Sequence, residues 1–250
     1  MATLLLETFG EEYHMSEAKS LHGKSKMFPF ITCTWNPITG CFHDCIYCWA
    51  RKLAESKLKD TPRYREGFRH CSYHLATVHP KFKPDDFVFV SDMGDMFGEW
   101  VKMRWIQEVI EEVRKCEPTH FLFLTKNPRR YHFFSFPESI VVRGATIETN
   151  RKIGCELSKA PDPIQRLENM NLDQWENPSF ISIEPIMDFD LEEFSQRLLE
   201  IRPRFGVAVG YDNYGNGLPE PSLEKTMELI RRLENAGIRV FRKTLREAKS

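Results

Sequence analysis

The chain has 250 residues, of which 41% are hydrophobic, 28% charged and 12% aromatic. This composition is typical of a folded globular protein and excludes a collagen-like, coiled-coil or largely disordered chain. Thirty-five Lys and Arg residues face thirty-six Asp and Glu residues, so the formal net charge of −1 gives no global attraction to nucleic acids or membranes.

The longest apolar runs are as long as a β-strand and far shorter than the roughly 20 residues of a membrane span. Residues 1–12 carry no basic region ahead of their leucines, which argues against a secretory signal. The seven cysteines are an odd number, and three of them fall between positions 41 and 48. Such a cluster is typical of metal binding in a reducing compartment. We therefore expect a cytoplasmic protein that does not contact membranes.

Strand-like and helix-like segments alternate along the chain. The predicted strands are residues 29–35, 87–91, 121–125, 141–147, 180–183, 205–209 and 238–241. The predicted helices are residues 47–59, 101–115, 162–170, 191–200 and 221–235. Repeated strand-then-helix units imply right-handed crossovers and a parallel sheet. Six or seven such units predict an α/β fold, a partial (β/α)6–7 TIM-like barrel, with an open doubly wound sheet as the main alternative.

Both architectures bind their ligands at the carboxyl ends of the strands. Polar or glycine-containing segments follow the predicted strands closely. These segments are residues 41–48, 92–95, 126–128, 148–150, 184–185 and 210–213. The functional site is therefore expected at this end of the sheet.

The motif GCFHDCIYC at residues 40–48 places Cys41, Cys45 and Cys48 close enough to surround one compact inorganic centre. A structural zinc site takes four protein ligands, and no second close pair of Cys or His follows this motif. His43 lies between the first two cysteines and is poorly placed to complete the same tetrahedron. An iron–sulfur cluster of the 4Fe–4S type held by three cysteines leaves one iron open to another ligand.

The CxxxCxΦC spacing, with Tyr47 as the aromatic residue, resembles the signature of the radical S-adenosylmethionine (SAM) superfamily. Further segments resemble one phage-type, functionally uncharacterised family of that superfamily, which is distantly similar to spore photoproduct lyase. They are TWNP at 34–37, TG at 39–40, LTK at 124–126 with Pro128, and SIEP at 182–185. The likeness runs from Thr34 to Lys243. Where such relatives often have GGESG after the sixth strand, this chain has VGYDN at 209–213, which changes a substrate-facing loop.

The resemblance implies the cofactors and the reaction. Cys41, Cys45 and Cys48 would ligate a 4Fe–4S cluster, and SAM would chelate the fourth iron. The reduced cluster would cleave SAM to a 5′-deoxyadenosyl radical, which takes a hydrogen atom from the substrate. A reducing electron donor of the flavodoxin or ferredoxin type would be a partner, and the enzyme would be oxygen-sensitive.

The resemblance also assigns residues to SAM. They are Tyr47, Asp92, Met93, Gly94, Asp95, Thr146, Glu148 and Asn150. Tyr47 would lie near the adenine, residues 92–95 would hold the methionyl ammonium, and residues 146–150 would reach the ribose hydroxyls. A carboxylate such as that of Asp95 suits an ammonium group in a partly dry site. The structural alternatives are a core aromatic at 47, a solvated turn at 92–95 and a helix N-cap at 150.

Four further residues are candidates for catalysis. Lys126 and Glu184 follow predicted strands and would pair with the SAM carboxylate, with the substrate, or with each other across the barrel mouth. Lys243 is a further candidate of this kind. Cys33 lies on the first strand and would return a hydrogen atom to the product radical if it faced the cavity; a small buried thiol is the alternative.

The chain divides into an N-terminal extension at 1–27 and the barrel at 28–250, with a basic insert-like segment at about 60–85. Residues 51–83 hold nine Lys and Arg against three acidic residues. Residues 171–200 hold eight acidic residues against one Arg. Charge runs of this kind form solvated surfaces, or a basic lobe that faces nucleic acid.

The sequence therefore predicts a radical SAM enzyme that acts on a nucleic acid or nucleotide. The alternatives are the same chemistry on a peptide or small metabolite, and a metal-clipped binding module without catalysis.

Overall fold

A computed structural model describes residues 27–75, 81–170 and 178–249. Seven parallel strands form one curved sheet in chain order. They are β1 (Cys33–Trp35), β4 (Phe87–Val90), β5 (His120–Thr125), β6 (Val141–Thr146), β7 (Ser179–Ile183), β8 (Gly206–Val209) and β9 (Val240–Arg242). A second, antiparallel sheet pairs β2 (Ile38–Thr39) with β3 (Ser72–Tyr73). The predicted partial TIM-like barrel is confirmed.

Helices connect the strands, and the longer ones cover the outer face of this sheet. They are α1 (Trp49–Ala54), α2 (Met103–Arg114), α3 (Pro163–Met170), α4 (Leu191–Ile201) and α5 (Leu223–Asn235), with a 3-10 helix at Pro128–Phe133. The apolar stripe of α2, which includes Ile106, Val109 and Val113, is fully buried against residues on the outward-facing side of the strands. This arrangement follows from the 3.6-residue period of the helix.

Two predicted elements are shorter in the structure. The first strand begins at Cys33 because the segment before it forms a turn, in which the Ile31 amide donates to the Phe28 carbonyl over 3.0 Å. Helix α1 ends at Ala54 and not at residue 59. Residues 55–57 are all exposed, so no apolar stripe continues the helix beyond its two buried alanines.

Aromatic side chains from the N-terminal turn fill the inside of the half-barrel. The Phe30 ring lies 4.8 Å from the Phe205 ring, 5.0 Å from that of Phe87 and 5.5 Å from that of Phe180. Phe28 stacks on Phe30 at 5.6 Å. The interior is a packed core at this level, so the polar residues of the barrel collect at the carboxyl ends of the strands.

Some predicted features lie outside the described residues. They are residues 1–26 of the N-terminal extension, residues 76–80 of the basic segment and residues 171–177 of the acidic segment. In the described ranges, no helix has the length and apolar character needed to span a bilayer.

Candidate functional site at the cysteine loop

The segment 40–48, here called the cysteine loop, leaves β2 and lies against the residues that follow β4. The Gly40 amide donates to the Met93 carbonyl over 3.1 Å, and Gly40 forms a parallel bridge with Gly94. Gly40 has a φ of +90°, and a Cβ placed there would lie 2.2 Å from the backbone oxygen of His70. Only glycine fits such a position, because both the conformation and the contact exclude a side chain.

The three thiols of the loop lie in a poorly solvated environment. Cys45 is buried, while Cys41 and Cys48 are half-buried. Burial raises the pKa of Cys41 and of Cys48, and the Asp95 carboxylate and the other two thiols raise that of Cys41 further. The thiolate forms therefore require nearby positive charge, which a bound metal centre supplies.

Two of the thiol sulfurs face hydrogen-bond donors. Cys48 is the N-cap of α1, and its Sγ accepts the Arg51 amide at 3.3 Å. The Cys45 Sγ lies 3.0 Å from the Ser158 Oγ. Hydrogen bonds donated to sulfur stabilise a thiolate. A thiolate that binds iron still has lone pairs that accept such bonds.

Among the described residues, no three His, Cys, Asp or Glu side chains already converge on a point suited to a metal ion. The donor set nonetheless fits an iron–sulfur cluster, because three soft thiols lie in one short loop. Two buried polar atoms beside the loop, Ser91 Oγ and Trp100 Nε1, have no hydrogen-bond partner within the described part of the chain. Trp100 packs on the loop, 4.8 Å from the His43 ring. Such orphaned atoms are typical of places where a bound group supplies the partner.

Asp95 connects the cysteine loop to the carboxyl end of β5. Its buried carboxylate accepts from His43 Nε2 at 2.8 Å, from Thr125 Oγ1 at 2.6 Å, and from the amides of Lys126 at 2.9 Å and Phe97 at 3.0 Å. Burial raises the pKa of this carboxyl, but the hydrogen bonds outweigh burial and the net pKa lies below its usual value. Both oxygens are engaged, so Asp95 positions the loop through His43.

Asp92 is held by the residue that follows β1. The Asn36 Nδ2 donates to its carboxylate at 2.5 Å, and the Asn36 Oδ1 accepts the Met93 amide at 2.9 Å. Burial raises the pKa of Asp92. Asn36 thus fixes the start of segment 92–95, the predicted site of the methionyl ammonium.

Glu148 lies, itself fully buried, at the centre of an ionic network. It accepts from Tyr47 OH at 2.7 Å, from Arg166 at 2.7 Å and from Lys126 Nζ. Burial raises the pKa of Glu148, but Arg166 and Lys126 lower it to about 2. The Lys126 Nζ also lies 5.1 Å from the centre of the Tyr47 ring. Three residues assigned to the site from sequence are therefore in contact with one another.

Thr146 ends β6 on the inward side of the sheet, two residues before Glu148, and its carbonyl accepts a hydrogen bond from Arg166. Asn150 lies away from the network. Its side-chain oxygen accepts the Asp190 amide at 2.9 Å, and its amide group donates to Glu193 at 3.2 Å. Asn150 thus holds the segment that leads into α4.

Glu184 and Lys243 form a separate pair at 2.6 Å. Since Lys126 pairs with Glu148, the structure does not contain the pair between Lys126 and Glu184 that the sequence left open. Lys243 Nζ also lies 4.8 Å from the centre of the Phe28 ring. Phe28 belongs to the group of rings inside the half-barrel, here called the aromatic plug, which also contains Phe30, Phe87, Phe180 and Phe205. Cys33 packs on the outer core, on the helix side of the sheet.

Sequence reasoning missed two residues of this site. Arg166 is 1% exposed although it is charged, and its signal is its position on the buried face of α3 between Pro163 and Leu167. Ser158 had no local signal, because its contact with Cys45 joins positions 113 residues apart.

The sequence profile of one family, DUF5131, matches residues 26–201, which contain the cysteine loop and the strands β1 to β7. The chain belongs to the DUF5131 family. That family is described as a protein of unknown function. A search of curated proteins finds no match.

Among solved structures, this DUF5131 member is similar to two point mutants of spore photoproduct lyase. The TM-score is 0.53 for both, at 9% and 10% sequence identity. The matches cover 84% and 83% of this chain and 75% of each lyase chain. At this identity the likeness concerns the fold, and it agrees with the half-barrel described above.

Proposed function

We propose that this chain is a radical SAM enzyme in which Cys41, Cys45 and Cys48 hold a 4Fe–4S cluster. The observation that carries the proposal is the position of the cysteine loop. It lies at the carboxyl end of a parallel half-barrel, against the segment after β4 and the polar residues after β5 and β6. Ligands of parallel barrels bind at this end.

When bound, the cluster supplies the electron that cleaves SAM into methionine and a 5′-deoxyadenosyl radical. The protein's task is to hold SAM, to orient it and to exclude water. We assign the methionyl ammonium to the backbone oxygens of residues 92–94. The buried negative charge of Asp95 lies next to them and favours a cation there. We assign the SAM carboxylate to Lys126, which follows β5 at this end of the half-barrel and is partly exposed.

The hydrogen bond between Tyr47 and Glu148 connects the cysteine loop to the end of β6. Tyr47 is 7% exposed and packs in an apolar cluster with Cys45, Met187 and Leu218. These apolar side chains exclude water from one side of the cysteine loop. We assign Thr146 to the ribose, because it is the hydroxyl side chain on the inward face of β6 and lies two residues before Glu148. Glu148 and Asn150, which the sequence also assigned to the ribose, would reach it only by giving up contacts they already make.

For the substrate we propose a nucleic acid or nucleotide. Support comes from a basic surface that adjoins the cysteine loop. Arg51 and Arg69 bind the loop residue Asp44 at 2.5 and 2.6 Å, and Lys159 binds it at 2.9 Å. Four further cations in residues 51–69 are exposed: Lys52, Lys57, Lys59 and Arg65. Phosphate contacts of this kind position a nucleic acid without reading its sequence.

The first experiment tests the cluster. Anaerobic purification should yield a brown protein with about four irons per chain. With dithionite and SAM it should produce 5′-deoxyadenosine, and Cys45→Ala should abolish both the cluster and the product. Cys155→Ala is the matched control, because Cys155 is exposed and outside the loop. A colourless protein that carries stoichiometric zinc would show a metal-clipped binding module instead.

The second experiment tests the substrate class. Binding to single-stranded DNA and RNA at low salt should weaken when Lys57, Lys59 and Arg65 are replaced by Ser. The plot of the logarithm of the binding constant against the logarithm of the salt concentration should become less steep, its slope changing by about 2 to 3. Arg69 is left intact, because its loss would also remove one of the three ion pairs of Asp44. The control replaces the exposed Arg231 and Arg239, which lie on α5 and just before β9. Equal binding by both triple and control variants would favour a small metabolite or peptide as the substrate.

A further inference from the structure

The loop that follows β6 runs alongside the cysteine loop and is hydrogen-bonded to it on both sides of Cys45. The Lys159 amide donates to the His43 carbonyl over 2.6 Å, and the Ile46 amide donates to the Leu157 carbonyl over 3.0 Å. These two bonds place Ser158, the residue between Leu157 and Lys159, directly opposite Cys45.

The orientation of the Ser158 hydroxyl follows from its second contact. Its oxygen accepts the Ala160 amide at 3.1 Å, and it lies 3.0 Å from the Cys45 Sγ. Ser158 is 5% exposed, so water does not compete for this hydroxyl. A thiolate is an acceptor only. With the oxygen already accepting from Ala160, the hydroxyl proton has the Cys45 sulfur as its partner whenever that sulfur is a thiolate.

We infer that Ser158 is a positioning residue that raises the reduction potential of the cluster by donating a hydrogen bond to the Cys45 sulfur. The inference rests on the proposed function, since it requires Cys45 to be an iron ligand. A reduced cluster carries one more negative charge than the oxidised cluster. A donor directed at a ligating sulfur stabilises that extra charge and makes the one-electron reduction easier. Cys48 receives a similar bond from the Arg51 backbone, but Ser158 supplies the one such donor of the described residues that a substitution can remove.

The experiment is a potentiometric titration of the cluster with dithionite, followed by electron paramagnetic resonance. In Ser158→Ala and Ser158→Gly, the ratio of reduced to oxidised cluster at a fixed ambient potential should fall at least threefold. For a one-electron couple this is a shift of about 28 mV to lower potential. Ser158→Thr keeps the hydroxyl and should stay within twofold of the wild type. Ser139→Ala, an exposed serine outside both loops, should not differ from it.

The outcomes separate this inference from the proposed function. A wild-type protein without iron contradicts the proposed function itself. A wild-type cluster whose potential is unchanged in Ser158→Ala or Ser158→Gly overturns the inference and leaves the proposed function intact. The inference is also overturned if neither variant assembles a cluster, because the hydroxyl would then serve assembly and not the potential.

Discussion

Tyr47 donates a 2.7 Å hydrogen bond to Glu148, a residue 101 positions further along the chain. This bond joins the cysteine loop to the end of β6, and it is buried at both ends. Because Glu148 also binds Lys126 and Arg166, one carboxylate holds together the loop, β5, β6 and α3. The positions of the loop and of the strand ends are therefore coupled through Glu148.

Replacing Glu148 by Ala should be among the most destabilising single changes at this site. The substitution removes the carboxylate that both Lys126 and the buried Arg166 bind, so we expect a loss of about 3 to 5 kcal/mol in the free energy of unfolding. Urea denaturation measures it. Glu168→Ala, an exposed carboxylate on α3, should change stability by no more than about 0.5 kcal/mol. A loss below about 1 kcal/mol for Glu148→Ala would mean that the two cations reach water.

The same carboxylate predicts a pH dependence. The pKa of Glu148 is lowered from 4.5 to about 2 in the folded state, so its stabilising effect is present above its unfolded pKa and is lost as pH falls towards 2. The stability difference between wild type and Glu148→Gln should therefore be constant from pH 7 to 6. It should narrow by about 2 kcal/mol at pH 3.

Urea titrations at each pH measure that difference. Glu168→Gln provides the control and should follow the wild type throughout. A difference that stays constant down to pH 3 would contradict the assignment of a depressed pKa to Glu148.

A comparison of Gly40 with Gly67 separates two effects on stability: the close contact of the cysteine loop with the His70 backbone, and the strain of a left-handed backbone. Both have positive φ, +90° and +84°, but a Cβ at Gly67 meets no atom within 4 Å. Gly67→Ala should therefore cost only about 1 to 2 kcal/mol for its left-handed backbone. Gly40→Ala should cost clearly more, because its Cβ collides with the His70 backbone, and it should lower the iron content of the reconstituted protein. Equal losses of stability in the two variants would show that the cysteine loop can shift away from the His70 backbone without a cost in stability.

The aromatic plug predicts that the N-terminal turn contributes strongly to stability. Phe30 is 6% exposed and contacts four aromatic rings, three from strands β4, β7 and β9 and that of Phe205 just before β8, so Phe30→Ala should cost about 3 to 5 kcal/mol. Phe133 is 60% exposed, and Phe133→Ala should change stability by less than about 1 kcal/mol. Thermal unfolding compares the two. Similar melting temperatures for both variants would mean that the plug is dispensable.

The sequence by itself determined the class of fold and the candidate cluster ligands. Short apolar strands alternating with helices of 3.6-residue period are local signals, and they identified all seven strands of the half-barrel. The predicted and observed boundaries differ where an adjacent turn competes with the strand, as at residues 29–32. The spacing of Cys41, Cys45 and Cys48 is likewise local, since the three thiols lie in one loop.

Only the tertiary structure decided which charged and polar groups are partners. The order of the strands predicted that Lys126, Glu148, Glu184 and Lys243 would collect at one end of the barrel. It did not predict that Lys126 would bind Glu148 and that Glu184 would bind Lys243. A side-chain pair forms only where two chain segments come within a few ångströms of each other, and the paths of the connecting loops decide that. The contact of Ser158 with Cys45 depends on the same condition, because two loops far apart in sequence must lie side by side before the hydroxyl can reach the sulfur.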